Sequence, residues 1–180
     1  MKHLPKLLLV FFVLASYSLQ AQTLKFGHIN LQELIAVMPE RDSAVLKLEN
    51  YANQLEEELD AMRTEYQTKV NTYQQKQATW TAATLEAKTK ELQELEVRIQ
   101  RYQQSAQEEF QQMQQIVFAP VYQKATETIE KLGKDGGYIY IYDTSQGFMP
   151  YINSELSVDI LPLAKSAMNI PADKKPVQSK

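Results

Sequence analysis

Residues 45–80 read VLKLENYANQLEEELDAMRTEYQTKVNTYQQKQATW, and apolar or aromatic side chains recur in them every seven residues. One series of such positions starts at Val45, and a second starts three residues later at Leu48. The two series are Val45, Ala52, Leu59, Tyr66, Tyr73 and Trp80, followed by Leu48, Leu55, Met62, Lys69 and Lys76. Two interleaved series of this kind are typical of a helix that packs along another helix in a coiled coil.

Residues 85–116, LEAKTKELQELEVRIQRYQQSAQEEFQQMQQI, carry the same pattern in a different phase. Its positions are Leu85, Leu92, Ile99, Ala106 and Met113, followed by Lys88, Leu95, Tyr102, Glu109 and Ile116. Of the 21 positions in both stretches, 17 are apolar or aromatic, so the signal is strong. The first series would continue at Ala87, whereas the second starts at Leu85. This slip predicts an interruption near Thr81–Thr84, and hence two antiparallel helices folded back on each other.

The first 21 residues are typical of a secretory signal peptide. Lys2, His3 and Lys6 precede an apolar run over residues 7–15, which is too short to span a bilayer. We expect cleavage near Ala21 and export of a soluble chain to a bacterial periplasm. An uncleaved membrane anchor is the alternative interpretation.

The charge of the exported chain restricts its partners. Without Lys2 and Lys6, 17 basic side chains stand against 22 acidic ones, a net charge of −5. This balance argues against general binding to nucleic acids or to anionic membranes. The chain has no cysteine, so it can form neither a disulfide nor a lipid-modified N-terminal Cys.

Short elements precede the first long helix. Lys25–Asn30 predicts a strand, and Leu31–Met38 predicts a short helix that Pro39 interrupts. Asp42 or Ser43 is expected to cap the first long helix, which should reach about residue 78 or 80.

The second long helix is expected to start near Thr84 and to end at Gly133, with a kink near Pro120. The alternation of Tyr and Ile over Tyr138–Asp143 predicts a strand, with tyrosines on one face and isoleucines on the other. Phe148–Asn153 is a second candidate strand, which Pro150 would restrict to a sheet edge.

The last elements are short. Asp159 is expected to cap a helix that reaches Met168, and Ile170–Lys180 is expected to be disordered. The fold class is therefore α+β and mostly helical, with a small β-body and a long coiled-coil arm. The predicted units are the signal peptide (1–21), the β-rich body (22–41 plus 118–168), the hairpin arm (42–117, with its tip near 80–84) and the tail (169–180).

The predicted body is small, consists of two distant pieces of the sequence, and buries little apolar surface. Self-association would supply the missing burial, so we expect a homo-oligomer that uses the edge strands. The residues assigned to this oligomerisation body are Phe26, Ile29, Tyr138, Ile139, Tyr140 and Ile141.

The far end of the arm differs from its base in sequence. Lysines enter the apolar series there, which should loosen the packing. From Arg63 to Lys90 there are five basic and two acidic side chains, a net charge of +3. The candidate contacts for a ligand at this end are Tyr66, Tyr73, Trp80, Lys69, Lys76 and Lys88. Packing of the three rings within the hairpin is the alternative.

The sequence does not favour catalysis. After removal of the signal peptide, His28 is the only histidine, and no Cys is present for a thiol nucleophile or a zinc site. Gly136 and Gly137 precede a strand and do not form a phosphate-binding loop. We expect no enzymatic activity, no cofactor and no metal.

Several short segments, taken in order around the hairpin, resemble the Skp/OmpH family of periplasmic chaperones. They are Lys25–Asn30, the Met38-Pro39-Glu40 break, Phe118-Ala119-Pro120-Val121-Tyr122, Gly137–Asp143 and Val158-Asp159-Ile160. The resemblance covers residues 24–168. It implies a jellyfish-like homotrimer in which three hairpins surround a cavity.

The resemblance also implies a function. The cavity would hold unfolded outer-membrane proteins and prevent their aggregation without using nucleotide. Well-studied relatives are strongly basic, whereas this chain is acidic, so no contact with lipopolysaccharide or the membrane is carried over. The alternative is a structural or adaptor coiled coil of the cell envelope that binds one folded partner.

Overall fold

The computed structural model of the chain describes residues 24–176. Its elements are β1 (Lys25–Ile29), α1 (Leu31–Ala36), α2 (Pro39–Lys76), a 3₁₀ turn (Gln77–Thr79), α3 (Ala82–Gly136), β2 (Tyr138–Asp143), β3 (Ser157–Asp159) and α4 (Leu161–Ala167). This order confirms a mostly helical α+β fold with a long helical hairpin. The predicted signal peptide lies outside the described residues.

Strand β1 lies at the centre of a parallel sheet, with β2 on one side and β3 on the other. Parallel neighbours need a crossover connection, and the crossover from β1 to β2 contains both long helices. Within residues 24–176 no further strand pairs with the outer edge of β2 or of β3. The sheet therefore has two open edges.

The predicted strand over Phe148–Asn153 is wrong, and the strand next to β1 is Ser157–Asp159 instead. Pro150 has no amide hydrogen for a strand ladder, and Phe148 is 79% exposed. Ile160 explains the position of β3. Its side chain is fully buried, and its backbone N–H donates to the carbonyl of His28 at 2.9 Å.

The predicted alternation of faces along β2 is interrupted near its start. The pairing with β1 shifts between Lys25 and Phe26, so that Phe26 lies opposite Tyr140 and Ile139 has no partner. As a result Tyr138 packs against the core together with Ile141, and does not share the face of the other tyrosines. A bulge of this kind turns the residues on either side of it.

The core lies where the helices cover one face of the sheet. Its buried side chains are Ile29, Leu34, Ile35, Val37, Met38, Ala44, Val121, Ala125, Ile160, Ala164 and Ile170. The prediction of disorder from Ile170 onward is wrong at its first residue, because Ile170 is only 5% exposed. Lys174 also forms an ion pair with Asp42 at 3.4 Å. The chain after α4 thus returns to the start of α2.

The ends of the long helices differ from the predicted caps. Helix α2 begins at Pro39, whose missing N–H is tolerated in the first turn, so the predicted caps Asp42 and Ser43 lie inside the helix. The hydroxyl of Thr81 caps α3 by accepting from the N–H of Thr84 at 3.3 Å. Gly137 ends α3 with a left-handed φ of 66°.

Helix α3 runs without interruption through Pro120, from Ala82 to Gly136. It therefore extends three residues beyond the predicted end at Gly133. The kink near Pro120 stays a prediction.

Cross-contacts between α2 and α3 are nested around Trp80, as in an antiparallel hairpin. Tyr51 donates to Glu109 at 2.9 Å, and Tyr102 donates to Glu58 at 3.0 Å. Nearer the tip, the hydroxyls of Tyr73 and Thr89 lie 3.1 Å apart, and Arg98 lies 3.8 Å from Glu65. As one partner advances along α2, the other retreats along α3. The predicted reversal of the chain is confirmed.

Candidate functional site

Two of the three lysines expected to attract ligands at the tip form ion pairs within the arm itself. Lys69 on α2 and Lys88 on α3 both form ion pairs with the carboxylate of Glu91, the second at 2.7 Å. The hydrogen bond from Lys69, followed by that from Lys88, lowers the pKa of Glu91 to about 2. Glu91 therefore stays ionised at neutral pH and links the two helices.

The predicted basic character of the tip disappears when the hairpin is considered in three dimensions. The stretch from Arg63 to Lys90 has a net charge of +3, but Asp60, Glu91 and Glu94 lie just beyond its ends. Residues 60–94 contain five basic and five acidic side chains. Lys76 is exposed and forms no ion pair within the described chain. The tip is thus electrically balanced.

The predicted aromatic residues of the tip are half-buried in the hairpin. Tyr73 and Trp80 pack edge to face with their ring centroids 5.6 Å apart, and the Tyr73 hydroxyl is engaged with Thr89. A cleft of 220 Å³ between α2 and α3 is lined by these two rings, Lys69, Lys88 and Glu91, with Thr72 and Leu92. Tyr66 is also half-buried. The rings pack within the hairpin and leave part of their surface exposed.

In the middle of the arm, hydrogen bonds from tyrosine hydroxyls join α2 to α3. The Tyr102 hydroxyl donates to Glu58 and lies 3.3 Å from the carbonyl oxygen of Leu55. Burial, with the hydrogen bond to Glu58 as the second cause, raises the pKa of Tyr102 to about 12. The hydrogen bond to Glu109 likewise raises the pKa of Tyr51. At the start of the arm, the hydrogen bond from Lys124 lowers the pKa of Glu40.

Toward the sheet, the inward stripe of α3 drifts away from the predicted seven-residue series. Ile116, a predicted inward position, is 67% exposed. Phe110 and Val117 are half-buried instead. A straight helix has 3.6 residues per turn, so a strict seven-residue series rotates by about 20° per repeat. Packing at this end follows the helix geometry.

One face of α3 at this level has no partner within the described chain. A groove of 670 Å³ runs along it, and we call this groove the root groove. Its lining residues are Gln111, Gln114, Gln115, Phe118, Ala119 and Tyr122. The segment from Phe110 to Gln123 contains no Asp, Glu, Lys or Arg. The richness of this segment in Gln is the sequence signal for the groove.

The candidate oligomerisation residues divide into two groups. Ile29 is 1% exposed in the core of its own chain, so within the body it has almost no surface for contact with another copy. Tyr138 and Ile141 also pack against that core. Ile139 and Tyr140 are 55% and 53% exposed. The Phe26 ring lies 5.0 Å from the Tyr140 ring, on the sheet face away from the core.

Apolar side chains continue from this sheet face into the segment after β2. Phe148, Met149, Tyr151 and Leu156 are exposed. Some of them line a small cavity of 160 Å³ with Phe26, His28 and Tyr140. This side of the body therefore has an apolar surface that the described chain does not cover.

His28 takes part in a hydrogen bond between two strands. Its Nδ1 lies 2.9 Å from the Ser157 hydroxyl, which joins β1 to β3. Within the described chain no group of three His, Cys, Asp or Glu side chains could hold a metal ion. In the same residues, no helix has the length and hydrophobicity needed to cross a membrane.

Comparison with known proteins identifies the family. No curated protein matches the sequence. The fold is similar to that of a protein from Caulobacter crescentus CB15 whose proposed role is that of an OmpH-like outer membrane chaperone, with a TM-score of 0.70. The two chains are 18% identical, over 87% of this chain and 92% of the other. The sequence also matches the OmpH-like outer membrane protein family over residues 25–168, and the chain therefore belongs to that family.

Proposed function

We propose that this protein is an ATP-independent holdase chaperone of the periplasm, which binds unfolded outer-membrane proteins and prevents their aggregation. The observation that carries the proposal is the fold of the OmpH-like family: a long arm projects from a body that leaves apolar surface uncovered. The arm needs no cofactor for such a role. Binding would use side chains along its length.

The proposal includes a homotrimer in which the bodies associate through their sheets. The open edges on β2 and β3 are different, so contact between the β2 edge of one copy and the β3 edge of the next is heterologous. Heterologous contacts produce closed rings when the rotation between copies completes a circle. The exposed Ile139 and Tyr140 would be covered in such a ring. The arms would then surround a common cavity.

Client binding in this cavity would rest on many weak contacts. Each contact is worth on the order of 1 kcal/mol or less, so affinity depends on their number. The exposed parts of Tyr66, Tyr73 and Trp80 would contribute at the tip. Because Lys69 and Lys88 are paired with Glu91, Lys76 is the predicted basic contact with its charge still available.

Light scattering tests the proposal. An outer-membrane β-barrel protein unfolded in urea is diluted into buffer with and without a molar excess of this chain as trimer. We expect the chain to suppress scattering by several unfolded proteins and not to bind their folded forms. Saturable binding to one native protein, with no suppression, would instead establish the adaptor function.

A further inference from the structure

The root groove has the chemistry of a peptide-binding surface. Gln111, Gln115, Phe118 and Tyr122 follow one another at steps of four, three and four residues, which places them along one face of α3. The rings of Phe118 and Tyr122 lie at one end of this face, and the amide side chains of Gln111 and Gln115 lie at the other. The face therefore offers both apolar contact and hydrogen bonds.

The polar groups of this face have no partners of their own. None of the side-chain hydrogen bonds within residues 24–176 involves Gln111, Gln114, Gln115 or the hydroxyl of Tyr122. By contrast, Gln104 and Gln123 on the same helix donate to glutamates four residues away. A Gln amide both donates and accepts, so it can pair with either group of a peptide backbone.

Charge is absent from this part of the helix. Residues 110–123 carry no Asp, Glu, Lys or Arg, although Glu109 and Lys124 flank the segment directly. An uncharged surface gains nothing from a charged ligand, and depletion of charge is characteristic of the centres of binding surfaces. These properties favour a ligand with unpaired backbone amides and apolar side chains.

We propose that the root groove binds a short, uncharged segment of unfolded polypeptide in an extended conformation. This inference rests on the proposed holdase function and assigns a client contact to the arm root instead of the tip. The distance from Gln111 to Tyr122 is about 16 Å at the rise of an α-helix. That length matches roughly five residues of extended chain.

The size of the groove argues against a second copy of this chain as its occupant. A stable protein–protein interface uses about 20–30 residues on each side, whereas six side chains of one helix line this groove. A short peptide segment needs no more than that. A groove on each arm would also hold a long client at several points at once.

The first test introduces charge without changing shape. The triple variant Gln111→Glu, Gln114→Glu and Gln115→Glu is compared with Gln93→Glu, Gln100→Glu and Gln103→Glu, which lie on exposed positions of the same helix nearer the tip. The probe is a fluorescent eight-residue peptide of alternating apolar and hydroxyl side chains, followed by anisotropy. We expect the root variant to raise the Kd about fivefold, which corresponds to roughly 1 kcal/mol. Equal affinity for both variants would overturn the inference.

The second test locates the contact directly. A photoreactive benzophenone side chain at the exposed Ala119 of the full chain should crosslink to the same peptide, and one at Gln93 should not. Crosslinking at position 119 to another copy of the chain, undiminished by peptide, would overturn the inference. If the wild-type chain binds the peptide at position 119 but does not suppress aggregation, the holdase function is excluded and peptide binding by the root groove is retained. If the wild-type chain suppresses aggregation and the root variant binds the peptide with normal affinity, only peptide binding by the root groove is excluded.

Discussion

At the scale of single residues, Gly27 at the centre of the sheet is required for close packing. A Cβ atom at this position would lie 3.0 Å from Ile160 Cγ1 and 3.1 Å from Ile141 Cγ1. Both neighbours pack in the core, so they have little freedom to move. Gly27→Ala should therefore lower the free energy of unfolding by about 1–3 kcal/mol, the usual cost of overpacking. Urea denaturation followed by circular dichroism measures it.

The matched control for this substitution is Gly133→Ala. A Cβ atom there meets only Ile141 Cδ1, at an ordinary contact distance of 3.4 Å. Gly133 lies inside α3, where Ala is favoured over Gly by up to about 1 kcal/mol. The same chemical change should thus leave stability unchanged or raise it. A loss of stability at Gly133 as large as that at Gly27 would contradict the packing argument.

The sequence predicts the residues of the tip but not their partners. Lys69 and Lys88 stand 19 positions apart, and their shared contact with Glu91 depends on the register of the hairpin. A seven-residue pattern predicts that two helices pair, but the register follows from the geometry of the turn. For the same reason a count along residues 63–90 makes the tip basic, although Asp60, Glu91 and Glu94 neutralise it.

At the scale of elements, the ion pairs of Glu91 make the tip sensitive to acid. The folded-state pKa of Glu91 is lowered to about 2 from an ordinary value of 4.5. Its contribution to the stability of the tip is therefore complete above about pH 4.5 and is lost as the pH falls through 2. Because the side chains are partly exposed, high salt should weaken the effect.

Trp80, the only tryptophan, lines the same cleft as Glu91 and reports on this change. We expect its fluorescence to stay constant from pH 7 to about 4.5 and to shift to the red between about pH 4.5 and 2. In Glu91→Gln the red shift should be present already at pH 7 and should not vary in that interval. A transition that is unchanged in Glu91→Gln would show that other carboxylates cause it.

The reversal of the chain can be measured with spin labels at the exposed Asn53 and Gln107. In the hairpin they lie on neighbouring helices whose axes are about 8–10 Å apart, so the labels should be less than about 25 Å apart. A continuous rod would separate them by about 80 Å. Labels at Asn53 and Gln74, both on α2, should give roughly 32 Å in either case. Dilution with unlabelled chain removes distances between copies.

The long elements follow from patterns in the sequence, whereas the shortest strand does not. The long helices and the six-residue β2 have periodic patterns, and both were predicted correctly. Strand β3 has only three residues, Ser157–Asp159, which is too short for alternation to be recognised. Its place is set by the free edge of β1 and by the burial of Ile160, and both are tertiary effects. The regular alternation of Tyr and Ile along β2 gives no sign in the sequence of the bulge at Ile139.

At the scale of the whole molecule, the thin core makes association of the bodies the central expectation. Buried side chains concentrate near the sheet, and along the described arm beyond Ala44 only Leu95 is buried. The arm therefore adds length with little core. The sequence could predict this shortage from its composition and element lengths. It could not predict which residues of the body face outward, because Ile29 and Ile139 have the same side chain, although the first is buried and the second is exposed.

The double variant Ile139→Lys and Tyr140→Lys tests the proposed sheet contact. Charge on an edge strand opposes pairing with another chain, and both side chains are exposed within one copy, so the fold of the copy should persist. Analytical ultracentrifugation at micromolar concentration should show a trimer for the wild type and a folded monomer for the variant. Leu163→Lys, an exposed position on α4, is the control and should remain trimeric. A double variant that keeps the mass of the wild-type oligomer would exclude the β2 edge as the interface. A wild-type chain that is a folded monomer would exclude the ring, because the arm of a single copy encloses no cavity.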